Sequence, residues 1–439
     1  MSSRFEELRA AHPVFHYHGY HIAQEDEQIV LRFDFSIENL CEFHPTTTID
    51  TSNLTLRNAF NSPSAQDLVF NLGLVELISY WKCVCPPEIV VHCGFLSAEE
   101  VDWWKRLWFH GLGEFFYRNK IETTIHDFVQ TRCDNVTIFQ QHRTIFHSGA
   151  LSLVPVGGGK DSCVTLHLLG QMNRRLMGFT VNDQAARSET FAAAGYDSEQ
   201  LLRTHRHVDP ALLARNAEGC WNGHTPFSAI VAFLGLYSAY LIGADELVLS
   251  NEASANEASV PGTEVNHQYS KSYAFERDMN NYIQQRFGLP ICYFSLLRPF
   301  HELQIAKQFA ALPQYHFAFK SCNAGSKRNI WCCRCAKCLF VYLMLAPFLL
   351  EGQMVEIFGR NLLNSPYLAE DLQALLGNRH EKPFECVGTI EEARAAFDLL
   401  HDKPAAAQQM LRDFCSEHNI PAPFLTTVER MLAYVGTTA

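Results

Sequence analysis

The chain has 439 residues, of which 47% are hydrophobic and 19% are charged, and this balance excludes a disordered protein. Its net charge of −12 argues against a broad nucleic-acid surface, which needs clustered lysines and arginines. The first residues, MSSRFEELRA, lack the layout of a secretion signal, so the 15 cysteines favour free thiols or a metal site over disulfides. We therefore expect a cytoplasmic protein of about two to three domains.

The first predicted domain covers residues 1–148 and is of the α+β type. Apolar and polar residues alternate between Ile29 and Ile37, which predicts a strand with one buried face. Residues 66–82 and 98–119 have the composition of helices that pack on such a sheet.

The second predicted domain covers residues 149–345 and alternates short apolar runs with helical stretches. In chain order we predict a strand at Ser152–Val156, a helix at Lys160–Met172, a strand at Leu176–Val181, a helix at Pro226–Gly243 and a strand at Glu246–Leu249. This order indicates an α/β fold, with a parallel sheet covered by helices on both faces. The uncharged run Thr225–Ala244 contains serines and tyrosines and leads directly into a strand, so we predict a buried helix and no membrane span. A third, mostly helical region covers residues 346–439.

The sharpest motif is GGGKDS, between a predicted strand and a predicted helix. Three glycines let backbone amides approach an anion, and the N-terminus of the following helix favours phosphate. The motif resembles the SGGxDS signature of the PP-loop ATP pyrophosphatase superfamily, with Gly157 in place of its first serine. That resemblance implies that ATP is bound by Gly157, Gly158, Gly159, Lys160, Asp161 and Ser162.

Polar side chains follow the next two predicted strands. Asn182 and Asp183 follow the strand that reaches Val181. In the PP-loop fold that the motif resembles, the second strand ends beside the nucleotide, so the resemblance implies that both residues contact it. Glu252 follows the third strand, where carboxylates suit Mg²⁺ or substrate contacts. A solvated polar loop is the alternative interpretation of this segment.

A cluster of cysteines follows further along the chain. Cys322, Cys332, Cys335 and Cys338 have spacings at which four thiolates can close a tetrahedral zinc site, which leaves Cys333 as a spare thiol. The layout is similar to the zinc site of the deazaguanine branch of PP-loop enzymes, with a first gap one residue longer. Basic neighbours also suit an anion-binding or reactive thiol patch, and inert cysteines are a third interpretation.

Several further motifs narrow the family. They are NGHTPFSAI (222–230), SNEASANEAS (250–259), VNHQYSKS (265–272), RNIWCCRCAKC (328–338) and KPFECVGT (382–389). With GGGKDS and the chain length, they resemble the UDP-N-acetylmuramoyl-L-alanyl-L-glutamate epimerase family of peptidoglycan synthesis, nearly end to end. The resemblance implies that ATP and Mg²⁺ activate the terminal L-glutamate of a UDP-linked muramoyl dipeptide as an acyl adenylate. Epimerisation and hydrolysis then leave the D-glutamyl product, AMP and pyrophosphate.

Epimerisation needs proton transfer on both faces of Cα. Adenylation removes the negative charge of the carboxylate, which otherwise makes loss of the Cα proton very costly. The predicted catalytic residues are Asp161, His267, Cys333, Glu252 and Lys271, with Glu257 and Asp183 as further proton-transfer candidates. Lys271 and Arg298 are also candidates for binding phosphate or carboxylate. The sequence leaves the ranking of these groups open.

Two other classes of function compete with the epimerase. The first is a PP-loop synthase or ligase that adenylates a nucleobase or tRNA, supported by the zinc cluster. The acidic balance and the absence of an appended basic domain argue against tRNA. The second is a non-catalytic nucleotide-binding module, against which the complete KDS end of the glycine motif argues. The sequence does not indicate the oligomeric state.

Overall fold

The chain divides into two units, each of which combines helices with strands. A computed structural model describes residues 4–135, 150–172, 174–260 and 262–437. The first unit comprises Met1–His147, Leu202–Ala244 and Asn281–Ile291, and the second comprises Ser148–Leu201, Asp245–Asn280 and Cys292–Ala439. The predicted three-domain division stays a prediction, and its first boundary, between residues 148 and 149, lies outside the described residues.

Strands and helices alternate through most of the described chain. The strands are β1 (Val14–Glu25), β2 (Gln28–Ile37), β3 (Cys41–Phe43), β4 (Thr46–Asp50), β5 (Glu88–Val91), β6 (Gln130–Cys133), β7 (Leu151–Pro155), β8 (Arg175–Val181), β9 (Leu201–His207), β10 (Glu246–Leu249) and β11 (Cys292–Ser295). The helices are α1 (Arg4–Ala11), α2 (Pro63–Glu76), α3 (Ile78–Trp81), α4 (Ala98–Gly111), α5 (Gly113–Asn119), α6 (Lys160–Gly170), α7 (Ala185–Ala193), α8 (Pro210–Ala217), α9 (Phe227–Ile242), α10 (Tyr273–Tyr282), α11 (Glu302–Ala310), α12 (Ala336–Leu345), α13 (Glu351–Phe358), α14 (Ala369–Leu375), α15 (Ile390–Leu399), α16 (Ala405–Met410) and α17 (Ala422–Gly436).

The first unit contains a mixed sheet in the order β9-β4-β2-β1-β5-β6, with β3 paired to β2. The pairs β1–β2, β2–β4 and β4–β9 are antiparallel, whereas β1–β5 and β5–β6 are parallel. In β2 the residues Leu31, Phe33 and Phe35 are buried and alternate with partly exposed polar residues. The predicted period of two is therefore confirmed.

Helices α2, α4 and α9 supply the core of the first unit. Ser62 caps α2 by accepting a hydrogen bond from the Ala65 N–H group, and Ser97 and Glu100 form a capping box on α4. Helix α9 is almost wholly buried, packs on α2 and ends at Gly243 in the left-handed region. Among the described residues, no helix combines the length and the apolar run that crossing a bilayer requires.

The second unit contains four parallel strands in the order β11-β10-β7-β8. This parallel pairing confirms the arrangement predicted from strand–helix alternation, and the predicted bounds of β7, β8 and β10 agree within one residue. Because parallel strands share a direction, the segments after all four strands emerge at one edge of the sheet. That edge carries the glycine motif, Asn182, Glu252 and the loop before α11.

Helices account for most of the chain beyond residue 345. Helices α13 to α17 cover the apolar core built by α11 and α12, and no strand occurs in the described part of residues 346–437. The segment 382–389 (KPFECVGT) has no regular secondary structure and interrupts the helices, as predicted.

Candidate active site

The glycine loop joins β7 to α6. Gly158 has φ of +79°, and a Cβ there would lie 3.1 Å from the carbonyl carbon of Ala186, so this position requires glycine. The N–H group of Gly157 donates to the Ser162 hydroxyl at 3.0 Å. Gly159 precedes α6 and has no side-chain cap, which leaves the helix N-terminus suited to an anion.

Three carboxylates meet at the start of α6. Oxygen atoms of Asp161, Glu252 and Glu302 all lie within 4.8 Å of one another, and we call this group the carboxylate cluster. The side chains of Glu252 and Glu302 are buried, and the buried ammonium group of Lys160 pairs with both Asp161 and Glu302. Lys160 is therefore directed into the carboxylate cluster.

Electrostatics distinguishes the three carboxyl groups. Burial raises the pKa of Glu302 to about 8, against the attraction of Lys160. Burial and the charge of Asp161 together raise the pKa of Glu252. Burial also opposes ionisation of Asp161, but Lys160 and Lys337 hold the pKa of that carboxyl below its usual value.

The carboxylate cluster fits a divalent cation. Carboxylate oxygens are the ligands that Mg²⁺ prefers in proteins. A dication here would add the positive charge that lets Asp161, Glu252 and Glu302 ionise together. The assignment of Mg²⁺ stays a prediction.

Asn182 and Asp183 lie where β8 ends. The Asp183 carboxylate accepts hydrogen bonds from the Gln184 N–H group at 2.9 Å and the Ser188 hydroxyl at 2.6 Å, and so holds the start of α7. Asn182 has φ of +54°, and its carbonyl accepts a hydrogen bond from Arg187 at 2.6 Å. Since β7 and β8 are neighbours, both residues share the sheet edge with the glycine loop. Their contacts with a nucleotide stay a prediction.

A buried arginine fixes the loop that carries Glu252 and Lys271. Arg298 has no exposed surface and donates to the carbonyl oxygens of Glu252 at 2.7 Å and Lys271 at 2.6 Å. Glu276 pairs with its guanidinium group at 3.0 Å. The sequence made Arg298 a candidate for binding phosphate or carboxylate. In the structure its guanidinium group instead holds the backbone of Glu252 and Lys271 in place.

Lys271 connects the carboxylate cluster to Cys386. Its ammonium nitrogen lies 3.1 Å from the Cys386 sulfur, and His267 is hydrogen-bonded to the same sulfur. We call these three residues the thiol cluster. Burial would lower the pKa of Lys271, but Cys386 and the carboxylates of Glu252 and Asp161 raise it. The ammonium group of Lys271 therefore interacts with the thiol of Cys386 and with two members of the carboxylate cluster.

Segment 382–389 is tied to the loop that carries His267. Gln268 donates from its side chain to the Val387 carbonyl at 3.2 Å, and Lys382 pairs with Glu257 and donates to the Gly388 carbonyl at 3.1 Å. The KPFECVGT motif therefore belongs to the site, although its sequence is far from the glycine loop.

Sequence reasoning missed two residues of the site. Glu302 begins α11, after the fourth parallel strand, and that position was the available signal. Cys386 lies in a motif that supported the family resemblance but carries no recognisable chemistry by itself. Cys333 has a different environment, because its thiol donates to the Phe358 carbonyl at 3.1 Å and burial raises its pKa.

The four predicted zinc ligands come together in the second unit. The sulfur atoms of Cys335 and Cys338 are 3.5 Å apart, those of Cys332 and Cys338 are 3.7 Å apart, and all four lie within 4.8 Å of one another. Zinc–sulfur bonds of about 2.3 Å in a tetrahedron place the sulfurs about 3.8 Å apart, so the group fits the ion. The N–H group of Gly325 donates to the Cys322 sulfur at 3.1 Å, as a metal-bound thiolate needs.

The chain around these cysteines also supports the glycine loop. The N–H group of Lys320 donates to the Gly158 carbonyl at 2.7 Å. Lys337 donates to the carbonyl of Cys386 from its ammonium group, and to Glu385 from its N–H group at 2.9 Å. Residues 320–338, which we call the cysteine loop, therefore contact both sides of the candidate site.

Comparison with known proteins gives the same family that the sequence motifs resemble. The sequence model of the MurL N-terminal domain matches residues 6–296, and that of the MurL C-terminal domain matches residues 318–423. A UDP-N-acetyl-alpha-D-muramoyl-L-alanyl-L-glutamate epimerase of Xanthomonas oryzae pv. oryzae is 36% identical over 80% of this chain and 80% of its own length. One of the same name from Salinispora tropica is 34% identical over 78% of this chain and 76% of its own. No solved structure matches. The chain therefore belongs to the MurL family of UDP-N-acetyl-alpha-D-muramoyl-L-alanyl-L-glutamate epimerases.

Proposed function

We propose that the protein uses ATP to convert the terminal L-glutamate of UDP-N-acetylmuramoyl-L-alanyl-L-glutamate into D-glutamate. Its relatives are named for an epimerase of this substrate. The observation that carries the ATP-dependent part is the adjacency of the glycine loop and the carboxylate cluster within one unit. Asp161 lies in the first turn of α6, directly after the loop, and is a member of the cluster. We infer a PP-loop type of nucleotide site from this arrangement.

In the proposed reaction, amide groups of the glycine loop bind the phosphates of ATP. Asp161, Glu252 and Glu302 would hold Mg²⁺, which would supply positive charge next to the phosphates. An oxygen of the glutamate α-carboxylate attacks the α-phosphorus of ATP, and pyrophosphate leaves. The resulting acyl adenylate has a more acidic Cα proton than the carboxylate. After that proton is removed and another is delivered to the opposite face, water releases the D-glutamyl product and AMP.

Zinc has a structural role in this proposal. Four thiolates leave no open coordination position, which is the pattern of a structural site. The ion would fix the cysteine loop, and with it the backbone contacts to Gly158 and Cys386.

The test is an incubation of the purified protein with UDP-N-acetylmuramoyl-L-alanyl-L-glutamate, ATP and Mg²⁺ in D₂O. We expect AMP, pyrophosphate, D-glutamate after acid hydrolysis, and deuterium at Cα. Omission of ATP is the control and should leave only L-glutamate. D-glutamate formed without ATP would refute the adenylation route. AMP formed only with ammonia, a nucleobase or tRNA would favour the synthase or ligase instead.

A further inference from the structure

The thiol cluster contains a cysteine with an unusual set of neighbours. Cys386 is half-buried. Its sulfur contacts the ammonium group of Lys271 and accepts a hydrogen bond from His267. A second lysine, Lys337, donates from its ammonium group to the carbonyl oxygen of the same residue. Packing a small apolar side chain does not need such contacts. The charged groups that make them are costly to bury without a negative partner.

These neighbours favour the thiolate. Burial alone would raise the pKa of the Cys386 thiol, but Lys271, the hydrogen bond from His267 and the charge of Lys337 hold it well below its usual value. Cys415, which is also half-buried, has a different environment: its sulfur lies 4.0 Å from the carbonyl oxygen of Glu417, and within the described part of the chain no lysine donates to it.

The position of Cys386 is also informative. Lys271 interacts with the carboxylates of Glu252 and Asp161 as well as with the thiol. Asp161 in turn begins α6 beside the glycine loop. A substrate carboxylate that is activated at the glycine loop would therefore lie near Lys271, whose ammonium nitrogen is 3.1 Å from the thiol.

We propose that Cys386 is the base that removes the Cα proton of the adenylated glutamate, an inference that rests on the proposed function. Lys271 and His267 are positioning residues, which hold the sulfur and keep it ionised. Cys386, which was not among the candidates predicted from the sequence, takes the role for which Cys333 was considered.

The step balances without a further reagent. The Cys386 thiolate takes the Cα proton and becomes a thiol, while the electron pair of the C–H bond moves into the acyl carbonyl as an enolate. A proton that comes from water reaches the opposite face of Cα, and the electron pair returns to form the new C–H bond. The thiol then loses its proton to water. Solvent hydrogen must therefore enter at Cα in each inversion.

The deciding experiment separates adenylation from proton transfer. The full-length variants Cys386→Ser and Cys386→Ala are compared with the wild type and with Cys415→Ser as the matched thiol control. Substrate-dependent pyrophosphate release reports adenylation, and deuterium uptake at Cα from D₂O reports proton transfer. We expect both Cys386 variants to release pyrophosphate at a rate within about threefold of wild type. Their deuterium uptake should fall by about 100-fold or more, the usual contribution of a catalytic base.

Each outcome bears on one claim. Deuterium uptake at the wild-type rate in either Cys386 variant would overturn the role of the thiol. If both variants lose pyrophosphate release as well as deuterium uptake, the role of the thiol as a base is also overturned, because the residue would then serve adenylation or folding. A wild-type protein that exchanges Cα hydrogen but releases no pyrophosphate would refute the proposed ATP-dependent reaction and the adenylated form of the substrate. A fall in deuterium uptake in both Cys386 variants would then still support the thiol as the Cα base.

A second measurement does not depend on variants of the thiol. Iodoacetamide labelling of the wild-type protein, followed by mass spectrometry of the peptide that contains Cys386, reports thiolate reactivity. We expect fast labelling at neutral pH, protection by ATP with the dipeptide nucleotide, and slower labelling in Lys271→Met that Lys271→Arg largely restores. Labelling no faster than that of Cys415, or unchanged in Lys271→Met, would contradict the proposal.

Discussion

At the residue scale, the candidate site depends on charges that are buried together. Asp161 is the ionised member of the carboxylate cluster, and Glu252 and Glu302 have raised pKa values. The single charge of the Lys160 ammonium group balances one carboxylate but not three that are ionised together. A divalent cation and the phosphates of ATP would complete the balance of charge.

We predict that Asp161→Asn lowers AMP formation by about 100-fold or more, because it removes the carboxylate nearest the glycine loop. The variant keeps the shape of the side chain, so the circular dichroism spectrum should not change. Glu370→Gln, at an exposed position, is the control and should retain full activity. Undiminished AMP formation in Asp161→Asn would count against the assignment of the glycine loop.

At the element scale, the glycine loop fits closely against α7. We predict that Gly158→Ala destabilises the protein by about 1–2 kcal/mol, since an L side chain is strained at positive φ, and that it strongly reduces ATP-dependent turnover. Gly195→Ala is a matched control, because Gly195 has φ of +87° but nothing within 4 Å of an added Cβ. Chemical denaturation and AMP release measure the two effects. Equal loss of turnover in both variants would mean that backbone strain alone, and not the contact with Ala186, affects the loop.

The start of α11 is held by an ion pair that titrates. The hydrogen bond that His301 donates to the Glu392 carboxylate raises the pKa of His301 above its ordinary value of 6.5. Glu392 also accepts a hydrogen bond from the N–H group of Glu302 at 2.8 Å. The folded state therefore binds the His301 proton more tightly than the unfolded state does. The pair contributes its full stability below pH 6.5, and the contribution is lost as pH rises through the higher folded-state pKa.

We predict that the stability advantage of the wild type over His301→Gln is greatest at acidic pH and shrinks as the pH rises from about 6 to above 8. Urea denaturation at a series of pH values measures it. A difference that grows with pH would show that the sign of the coupling is wrong.

The cysteine loop is the second element on which the site depends. We predict that the purified protein carries one zinc ion per chain, and that Cys338→Ser removes the ion and lowers stability by about 4 kcal/mol or more. Elemental analysis and thermal denaturation check both statements, with Cys415→Ser as the control. A wild-type protein free of zinc, after purification without chelators, would favour the reactive-thiol or inert interpretations.

At the scale of the whole molecule, the net charge of −12 opposes association with polyanions. We predict no saturable binding of tRNA at about 0.15 M salt, where the uridine nucleotide substrate still binds. Fluorescence anisotropy with labelled tRNA measures tRNA binding, and calorimetry measures binding of the uridine nucleotide substrate. Saturable tRNA binding would revive the synthase or ligase that the sequence left open.

The sequence by itself determined the features of this protein that are encoded by residues close to one another in the chain. The period of two in β2, the run of three glycines before α6 and the spacing of four cysteines are each contained in a short stretch, so they could be predicted without the fold. The parallel sheet followed from strand–helix alternation. The family followed from motifs spread along the whole chain.

Only the tertiary structure decided which side chains meet. Glu302 reaches Lys160 across 142 positions, and Cys386 reaches Lys271 across 115. Contacts at such separations depend on the order of strands in the sheet and on how the loops pack at its edge. No local pattern encodes either of them. Burial, which raises or lowers each pKa in the site, likewise arises only when distant segments close over these groups.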